Sequence, residues 1–151
     1  MKEFKNINDI LNFAIENEQN SVDFYQKLAK NSKTENMKTT FEQFAKEEVG
    51  HKARLMKIKE EGIFESDGQK IIDLKISDYL ISGDINENMT YEQALVLAMK
   101  REKSAFKLYL KLAERAPSAD LQNIFLKLAN DESKHKLRFE IEYDEFVLRE
   151  N

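Results

Sequence analysis

The sequence contains only two histidines, and each of them follows a glutamate by three residues. The two Glu-x-x-His motifs run from Glu48 to His51 and from Glu132 to His135. Residues three apart lie on one face of an α-helix, so both side chains of a motif can bind the same metal centre. Carboxylate and imidazole ligands together suit iron or manganese. The motifs therefore predict a metal site built on helices.

Both motifs belong to a repeated segment. Adding 84 to a residue number aligns residues 18–54 with residues 102–138 without a gap, and 11 of the 37 aligned positions are identical. Glu18 and Glu102 are equivalent in this alignment, as are Tyr25 and Tyr109. The repeat indicates a duplicated pair of helices related by an approximate two-fold axis.

The two upstream glutamates complete the set of candidate ligands. Glu18 falls between Ala14 and Val22 on a stripe of apolar residues, and Glu102 has the equivalent place in the second repeat. In each antiparallel helix pair, both glutamates lie 15 residues from the turn, at residue 33 or residue 117. We therefore expect all four carboxylates in one layer. The predicted metal ligands are Glu18, Glu48, His51, Glu102, Glu132 and His135.

Charge decides how such a layer can exist. Four buried carboxylates repel one another, and burial of an unpaired charge is costly. Two divalent metal ions balance four ionised glutamates and two neutral histidines. With 19 glutamates in the chain, a single Glu-x-x-His is most simply a solvated surface feature. Two motifs in register, each with the same upstream glutamate, favour a metal site over that alternative.

Two tyrosines and a glycine lie near the candidate ligands. Tyr25 and Tyr109 follow Glu18 and Glu102 by seven residues, which is two helical turns on the same face. Their phenols are predicted to donate hydrogen bonds to metal-bound carboxylates, and the alternative is that they are ordinary core residues. Gly50, inside one motif, is expected to leave space beside the metals.

The elements that position these residues are predicted to be four helices. Apolar residues recur at intervals of three and four, which is the period of one helical face. Thr90 and Gln93 form a capping box, and Gly62 is a stop signal. The predicted helices cover roughly residues 6–31, 35–61, 90–115 and 118–148.

The expected fold class is all-α, an antiparallel four-helix bundle made of two helical hairpins. A long crossover connection, residues 62–89, joins the hairpins and includes a short helical or extended piece around residues 71–81. The length of 151 residues suits a single domain, and only 4 glycines and 1 proline argue against a strand-rich fold.

Composition excludes several other classes. The absence of cysteine removes disulfides, thiolate zinc sites and iron–sulfur clusters. The net charge of −4 argues against nucleic-acid binding. No stretch approaches 18 apolar residues, and the first residues lead into no apolar signal segment. We expect a soluble, cytoplasmic protein that binds neither nucleic acid nor membranes.

The pattern of four glutamates and two histidines resembles the rubrerythrin branch of the ferritin-like superfamily, over roughly residues 7–148. The resemblance implies a di-iron four-helix bundle, with manganese or zinc as alternatives in the purified protein. It implies that Glu48 and Glu132 bridge the metals and that Glu18 and Glu102 are terminal ligands. One histidine would complete the ligands of each metal.

Two departures from that family pattern bear on function. Typical rubrerythrins carry a rubredoxin domain with four cysteines, and these 151 residues contain none. Typical rubrerythrins also have a further carboxylate where this sequence has Ala105, whose repeat partner is Ser21. The resemblance therefore implies an external electron donor, such as a rubredoxin-like or flavin protein, and a nearly symmetric site.

Three functions remain open at this point. The first is an oxidoreductase that reduces peroxide or dioxygen with electrons from a separate protein. The second is a ferroxidase that serves iron storage or detoxification. The third is a non-enzymatic, metal-dependent sensor or adaptor. The resemblance also implies a homodimer.

Overall fold

The computed structural model describes residues 7–62, 89–116 and 118–150. These residues form four α-helices and no strand. The helix bounds differ from the predicted ones by at most two residues, and the all-α prediction is confirmed. Residues 63–88, which make up nearly all of the predicted crossover, lie outside the described residues. The helices are α1 (Ile7–Lys30), α2 (Glu35–Glu61), α3 (Tyr91–Arg115) and α4 (Ala119–Glu150).

The helices pack as two hairpins, α1 with α2 and α3 with α4, and each hairpin is a compact unit of its own. In the first hairpin, the Thr34 hydroxyl accepts a hydrogen bond from the Met37 amide at 3.1 Å and caps the start of α2. Gly62 ends α2 with φ of 63°, a left-handed conformation that favours glycine. No described helix combines the length and apolar content that a bilayer crossing requires.

The second hairpin begins with the predicted capping box. The Gln93 amide donates to the Thr90 hydroxyl at 3.0 Å, and the Thr90 amide donates to the Gln93 side chain at 2.9 Å. The Ser118 hydroxyl accepts from the Leu121 amide at 3.2 Å, which satisfies one otherwise unpaired donor at the start of α4.

The apolar stripes predicted from the sequence are the buried faces of the helices. Phe41 and Phe125, which are equivalent in the repeat, are both fully buried. Phe41 lies beside Phe44 with ring centroids 6.5 Å apart, and Phe125 stacks on Tyr109 at the same distance. These aromatic contacts within each hairpin therefore fix the ends of the ligand-bearing helices. Ala105 on α3 is an exception to the burial of the stripes, because it is only half-buried.

A buried polar cluster joins α3 to α4 in the second hairpin. Glu142 is 1% exposed. Its Oε2 accepts hydrogen bonds from the Tyr91 hydroxyl at 2.9 Å and from Arg149 Nη2 at 3.3 Å. The Tyr91 and Phe146 rings meet edge to face at 5.1 Å. Because a buried carboxylate needs partners, this cluster ties the start of α3 to the last turns of α4.

Removing the Tyr91 hydroxyl should destabilise the fold. Tyr91→Phe deprives the buried Glu142 carboxylate of one donor, which we expect to lower the free energy of unfolding by about 1–3 kcal/mol. The measurement is urea unfolding followed by circular dichroism.

Tyr143, which follows Glu142 in the sequence, provides a matched control. The Tyr143 hydroxyl donates to Glu92 Oε1 at 3.0 Å across the same two helices, but at the surface. The Glu92 carboxylate raises the pKa of Tyr143 above its ordinary value of 10.0. Because this pair is solvated, Tyr143→Phe should leave the unfolding midpoint unchanged. Equal effects of the two variants would contradict the role given to Glu142.

Candidate metal centre

The first hairpin brings three of the predicted ligands together. Glu18 lies on α1, and Glu48 and His51 lie on α2. All three are buried. His51 Nδ1 is 3.7 Å from Glu18 Oε2 and 3.8 Å from Glu48 Oε2. One donor atom from each of the three residues lies within 4.8 Å of the other two.

The second hairpin repeats this arrangement. Glu102 lies on α3, and Glu132 and His135 lie on α4. All three are buried, and His135 Nδ1 is 3.7 Å from Glu102 Oε1. Their donor atoms also lie within 4.8 Å of one another. We call the two sets the first triad and the second triad.

The donor atoms of each triad fit a divalent metal ion. Two ligands that are each about 2.1 Å from an ion are about 3.0 Å apart at a right angle and about 4.2 Å apart on opposite sides. The observed separations of 3.7 and 3.8 Å fall between these limits and are too long for hydrogen bonds. Two carboxylates and one neutral imidazole carry a charge of −2, which one divalent ion balances.

The ligand positions follow from the helical stripe. Glu48 and His51 lie between Phe44 and Leu55, which are both buried, so the same face of α2 continues through the triad. Glu48 on this face is 0% exposed. Burial of two carboxylates side by side therefore favours the binding of a cation at the triad.

A hydrogen bond sets the register of the two helices beside the first triad. Lys52 Nζ donates to Gln19 Oε1 at 2.8 Å. Lys52 follows His51 and Gln19 follows Glu18, so the bond joins α1 to α2 at the level of the ligands. In the second repeat, Lys103 replaces the glutamine, and Lys136 forms an ion pair with Glu140 on its own helix instead.

The two tyrosines are buried within the hairpins. The Tyr25 ring packs edge to face against Phe24 at 5.6 Å and Phe44 at 6.3 Å. Tyr109 stacks on Phe125. These aromatic contacts hold both rings on the ligand-bearing faces of α1 and α3. The hydrogen bonds from their phenols to metal-bound carboxylates stay a prediction.

Two features differ from what the sequence indicates. Gly50 is exposed, and a Cβ atom added there would meet no described atom within 4 Å, so its lack of a side chain makes no room beside the ligands. The prediction for Gly50 is wrong because residue 50 faces outward between two inward-facing ligands. Glu142 was missed, although it lies between Phe139 and Phe146 on the α4 stripe and so carries the same signal as the ligands.

Fold and site together define a helical protein with a duplicated carboxylate and histidine cluster suited to metal binding. The rubrerythrin family model matches residues 9–81 and 93–151, and the chain belongs to this family. A hypothetical protein from Pyrococcus furiosus is similar in structure, with a TM-score of 0.70 and 25% sequence identity over 89% of this chain and 86% of that chain. A comparison with curated proteins gives no match. The ferritin-like four-helix fold class predicted from the sequence is thereby confirmed.

The number of metal ions bound per chain should depend on the two triads. We expect about two metal ions per chain after reconstitution with Fe²⁺, because the two carboxylates of each triad balance the charge of one divalent ion. Glu48→Ala combined with Glu132→Ala should reduce the ratio to well below one. Glu42→Ala combined with Glu145→Ala removes two exposed glutamates from the same helices and should leave the ratio unchanged. The measurement is elemental analysis after desalting, and a double-alanine protein that still holds two ions would contradict the assignment.

Stability should depend on the metal through charge repulsion. A ligand present at one hundred times its Kd stabilises the fold by about 2.7 kcal/mol, which corresponds to a rise in Tm of about 5–10 °C for a chain of this size. Chelation should therefore lower Tm at neutral pH, because it leaves like charges close together.

Replacement of Glu48 and Glu132 by glutamine should narrow the difference between apo and holo protein, since neutral amides do not repel. The measurement is thermal unfolding followed at 222 nm with and without chelator. If the Tm of the wild-type protein does not change when chelator is added, the burial of ionised carboxylates in both triads is contradicted.

Proposed function

We propose that the chain is a di-metal oxidoreductase that reduces hydrogen peroxide or dioxygen with electrons from a separate donor protein. One observation carries the proposal: each hairpin holds a buried triad of two glutamates and one histidine at the same positions of a repeat. Membership of the rubrerythrin family supports it. The proposed metal is iron.

The two triads are proposed to form one centre. In this assignment Glu48 and Glu132 would hold both metals, Glu18 and Glu102 would each be a terminal ligand, and each histidine would bind one metal. The equal distances from turn to ligand in the two hairpins support a common layer. Four glutamates and two neutral histidines then balance two divalent ions with no net charge left in the core.

Two iron ions at this site supply two reducing equivalents and Lewis acidity. Reduction of hydrogen peroxide to two water molecules consumes two electrons and two protons and breaks the oxygen–oxygen bond. The contribution of the chain is to hold the donor atoms at fixed separations and to limit access of water by burial. The buried phenols of Tyr25 and Tyr109 are the proposed hydrogen-bond donors to the ligands.

The ligand sets of the two metals are proposed to be nearly equivalent. Ala105 and Ser21 stand where an additional carboxylate would break the symmetry, and both are half-buried next to the ligand-bearing faces. Neither side chain can bind iron as a carboxylate does.

The electron donor is proposed to be a different protein, because the 151 residues contain no cysteine for an iron–sulfur or rubredoxin-type centre. A rubredoxin-like protein or a flavin carrier has suitable chemistry. A cytoplasmic location, where such carriers and their NAD(P)H-dependent reductases occur, belongs to the same proposal.

The proposal is tested with anaerobically reduced, iron-loaded protein. We expect rapid oxidation by hydrogen peroxide, with about one peroxide consumed per two irons. Sustained turnover with NAD(P)H should require both a reductase and a rubredoxin-like or flavin carrier. Stopped-flow absorbance gives the first result and NAD(P)H consumption gives the second.

Control variants separate the site from the rest of the chain. Glu18→Gln should slow oxidation at least tenfold, whereas Glu42→Gln at the surface of α2 should not change it. If the reduced protein is stable for minutes to both peroxide and dioxygen, the proposal of an oxidoreductase is overturned and a sensor or adaptor is favoured. Oxidation and retention of many more than two irons per chain in a large shell would favour iron storage.

A further inference from the structure

The outer face of α3 carries a row of four exposed lysines. From residue 100 to residue 111, every exposed residue of α3 is a lysine, and the four are Lys100, Lys103, Lys107 and Lys111. At about 100° per residue they fall within an arc of about 80°, and they span about 17 Å along the helix axis. We call these residues the α3 lysine row.

The repeat shows that a ligand-bearing helix does not require the α3 lysine row. The equivalent positions of α1 hold Glu16, Gln19, Asp23 and Lys27, so their formal charge is −1, whereas that of the row is +4. Gln19 Nε2 donates a hydrogen bond to Asp23 Oδ1 at 3.1 Å on this face of α1. Two helices with equivalent glutamate ligands therefore present opposite charge on their outer faces.

The α3 lysine row is unfavourable for the helix itself. Like charges three and four residues apart on a helix repel each other and weaken it. Lys111 Nζ lies 3.5 Å from Glu114 Oε2, but no carboxylate of the described residues is within ion-pair distance of Lys100, Lys103 or Lys107. Because the chain has a net charge of −4, a local row of unneutralised lysines indicates a surface for a negatively charged partner.

The α3 lysine row lies across the helix from a predicted metal ligand. Glu102 is 1% exposed and falls between Lys100 and Lys103 in the sequence. Around the helix, it is about 160° from Lys100 and about 140° from Lys107. An α-helix with its side chains is about 10 Å thick, so only one helix separates a partner on the row from the ligand. Electron transfer between proteins requires short separations, and this face provides one.

The size of the α3 lysine row favours a small acidic protein over nucleic acid. Exposed Glu92 precedes the row and exposed Glu114 follows it, so acidic residues bound the positive patch along α3. Proteins that bind DNA commonly contact about six to ten phosphates, which four lysines on one helix cannot match. Transient complexes between redox proteins have small interfaces and depend on charge for a rapid encounter.

We propose that the α3 lysine row is the docking surface for an acidic, one-electron carrier protein that reduces the metal centre. This inference rests on the proposed function, to which it adds the surface and the charge of the electron donor. Each encounter transfers one electron to oxidised iron. Two encounters therefore supply the two electrons that hydrogen peroxide consumes, together with two protons, when it forms two water molecules. Opposite charges speed the encounter, and a weak contact lets the oxidised carrier leave.

The test measures electron transfer from a reduced, acidic rubredoxin to the oxidised, iron-loaded full chain by stopped-flow absorbance. The wild-type rate constant should fall about fivefold between about 20 mM and about 200 mM salt, because salt screens the charges. Lys103→Glu combined with Lys107→Glu should lower the rate constant about tenfold at the lower salt concentration and much less at the higher one. Calorimetry should show about tenfold weaker binding of the oxidised rubredoxin to this variant, which is a measurement independent of turnover.

Control variants separate docking from folding and from net charge. Lys38→Glu combined with Lys57→Glu makes the same change in net charge at exposed positions of α2, nine or more residues from Glu48. This control should change the rate constant by less than about twofold. Lys103→Arg combined with Lys107→Arg keeps the charge and should keep the wild-type rate constant. Reduced methyl viologen, a small reductant that needs no docking surface, should reduce all of these proteins equally fast.

Several results would overturn the docking surface. One is a wild-type rate constant that does not depend on salt, which needs no variant to measure. Others are equal rate constants for the wild-type and double-glutamate proteins, or slower reduction of that variant by methyl viologen, which would mean that the substitutions act on the metal centre. Binding to anionic phospholipid vesicles or duplex DNA that requires the row, with an unchanged rate constant for rubredoxin, would assign the row to another partner and also overturn the proposal.

Failure of the proposed function is a separate result. In that case the wild-type protein reduced by methyl viologen would be stable to hydrogen peroxide, whereas calorimetry would still report whether rubredoxin binds at the α3 lysine row.

Discussion

Buried carboxylate and imidazole side chains in a helical core constrain this protein more than any other feature. Glutamate and histidine side chains occupy inward positions on all four helices, where leucine or phenylalanine would pack without cost. Desolvation of a carboxylate is so unfavourable that such positions persist only with a compensating charge. A divalent metal ion bound at each triad would supply that charge and use every donor. The apolar stripes, the caps and the short turns then serve to hold the donor atoms at ligand distances.

The duplication separates what the metal chemistry requires from what it does not. The triads contain the same residue types in both hairpins, and the distance from the histidine Nδ1 to an oxygen of the upstream glutamate is 3.7 Å in each. Elsewhere the hairpins differ: Ile58 stands where the second hairpin has Glu142, and the link between Lys52 and Gln19 has no counterpart. The two hairpins therefore stabilise equivalent triads by different means, an interhelical hydrogen bond in one and a buried carboxylate cluster in the other.

The same contrast applies to the outer surface. The exposed large apolar residues of α2 are Val49 and Met56, whereas the equivalent positions of α4 hold Ser133 and Glu140, although both helices carry the same Glu-x-x-His motif. Ligand chemistry constrains only the inner face of a helix, so the outer face is free to acquire a second role. On α4, Glu132 and His135 face inward, whereas Leu137 and Ile141 are exposed on the outer side.

The sequence by itself determined the helices and the residues of each triad. Helix bounds depend on local signals, such as the Thr90 box and Gly62, and these act within a few residues. The residues of the triads could be predicted because the repeat presents the same weak Glu-x-x-His motif twice. Only the tertiary structure decided that Tyr91 and Arg149 hold Glu142, that Gly50 faces outward, and that Leu137 stays exposed. These features depend on which helix covers each face, and that choice is made by contacts between residues far apart in the chain.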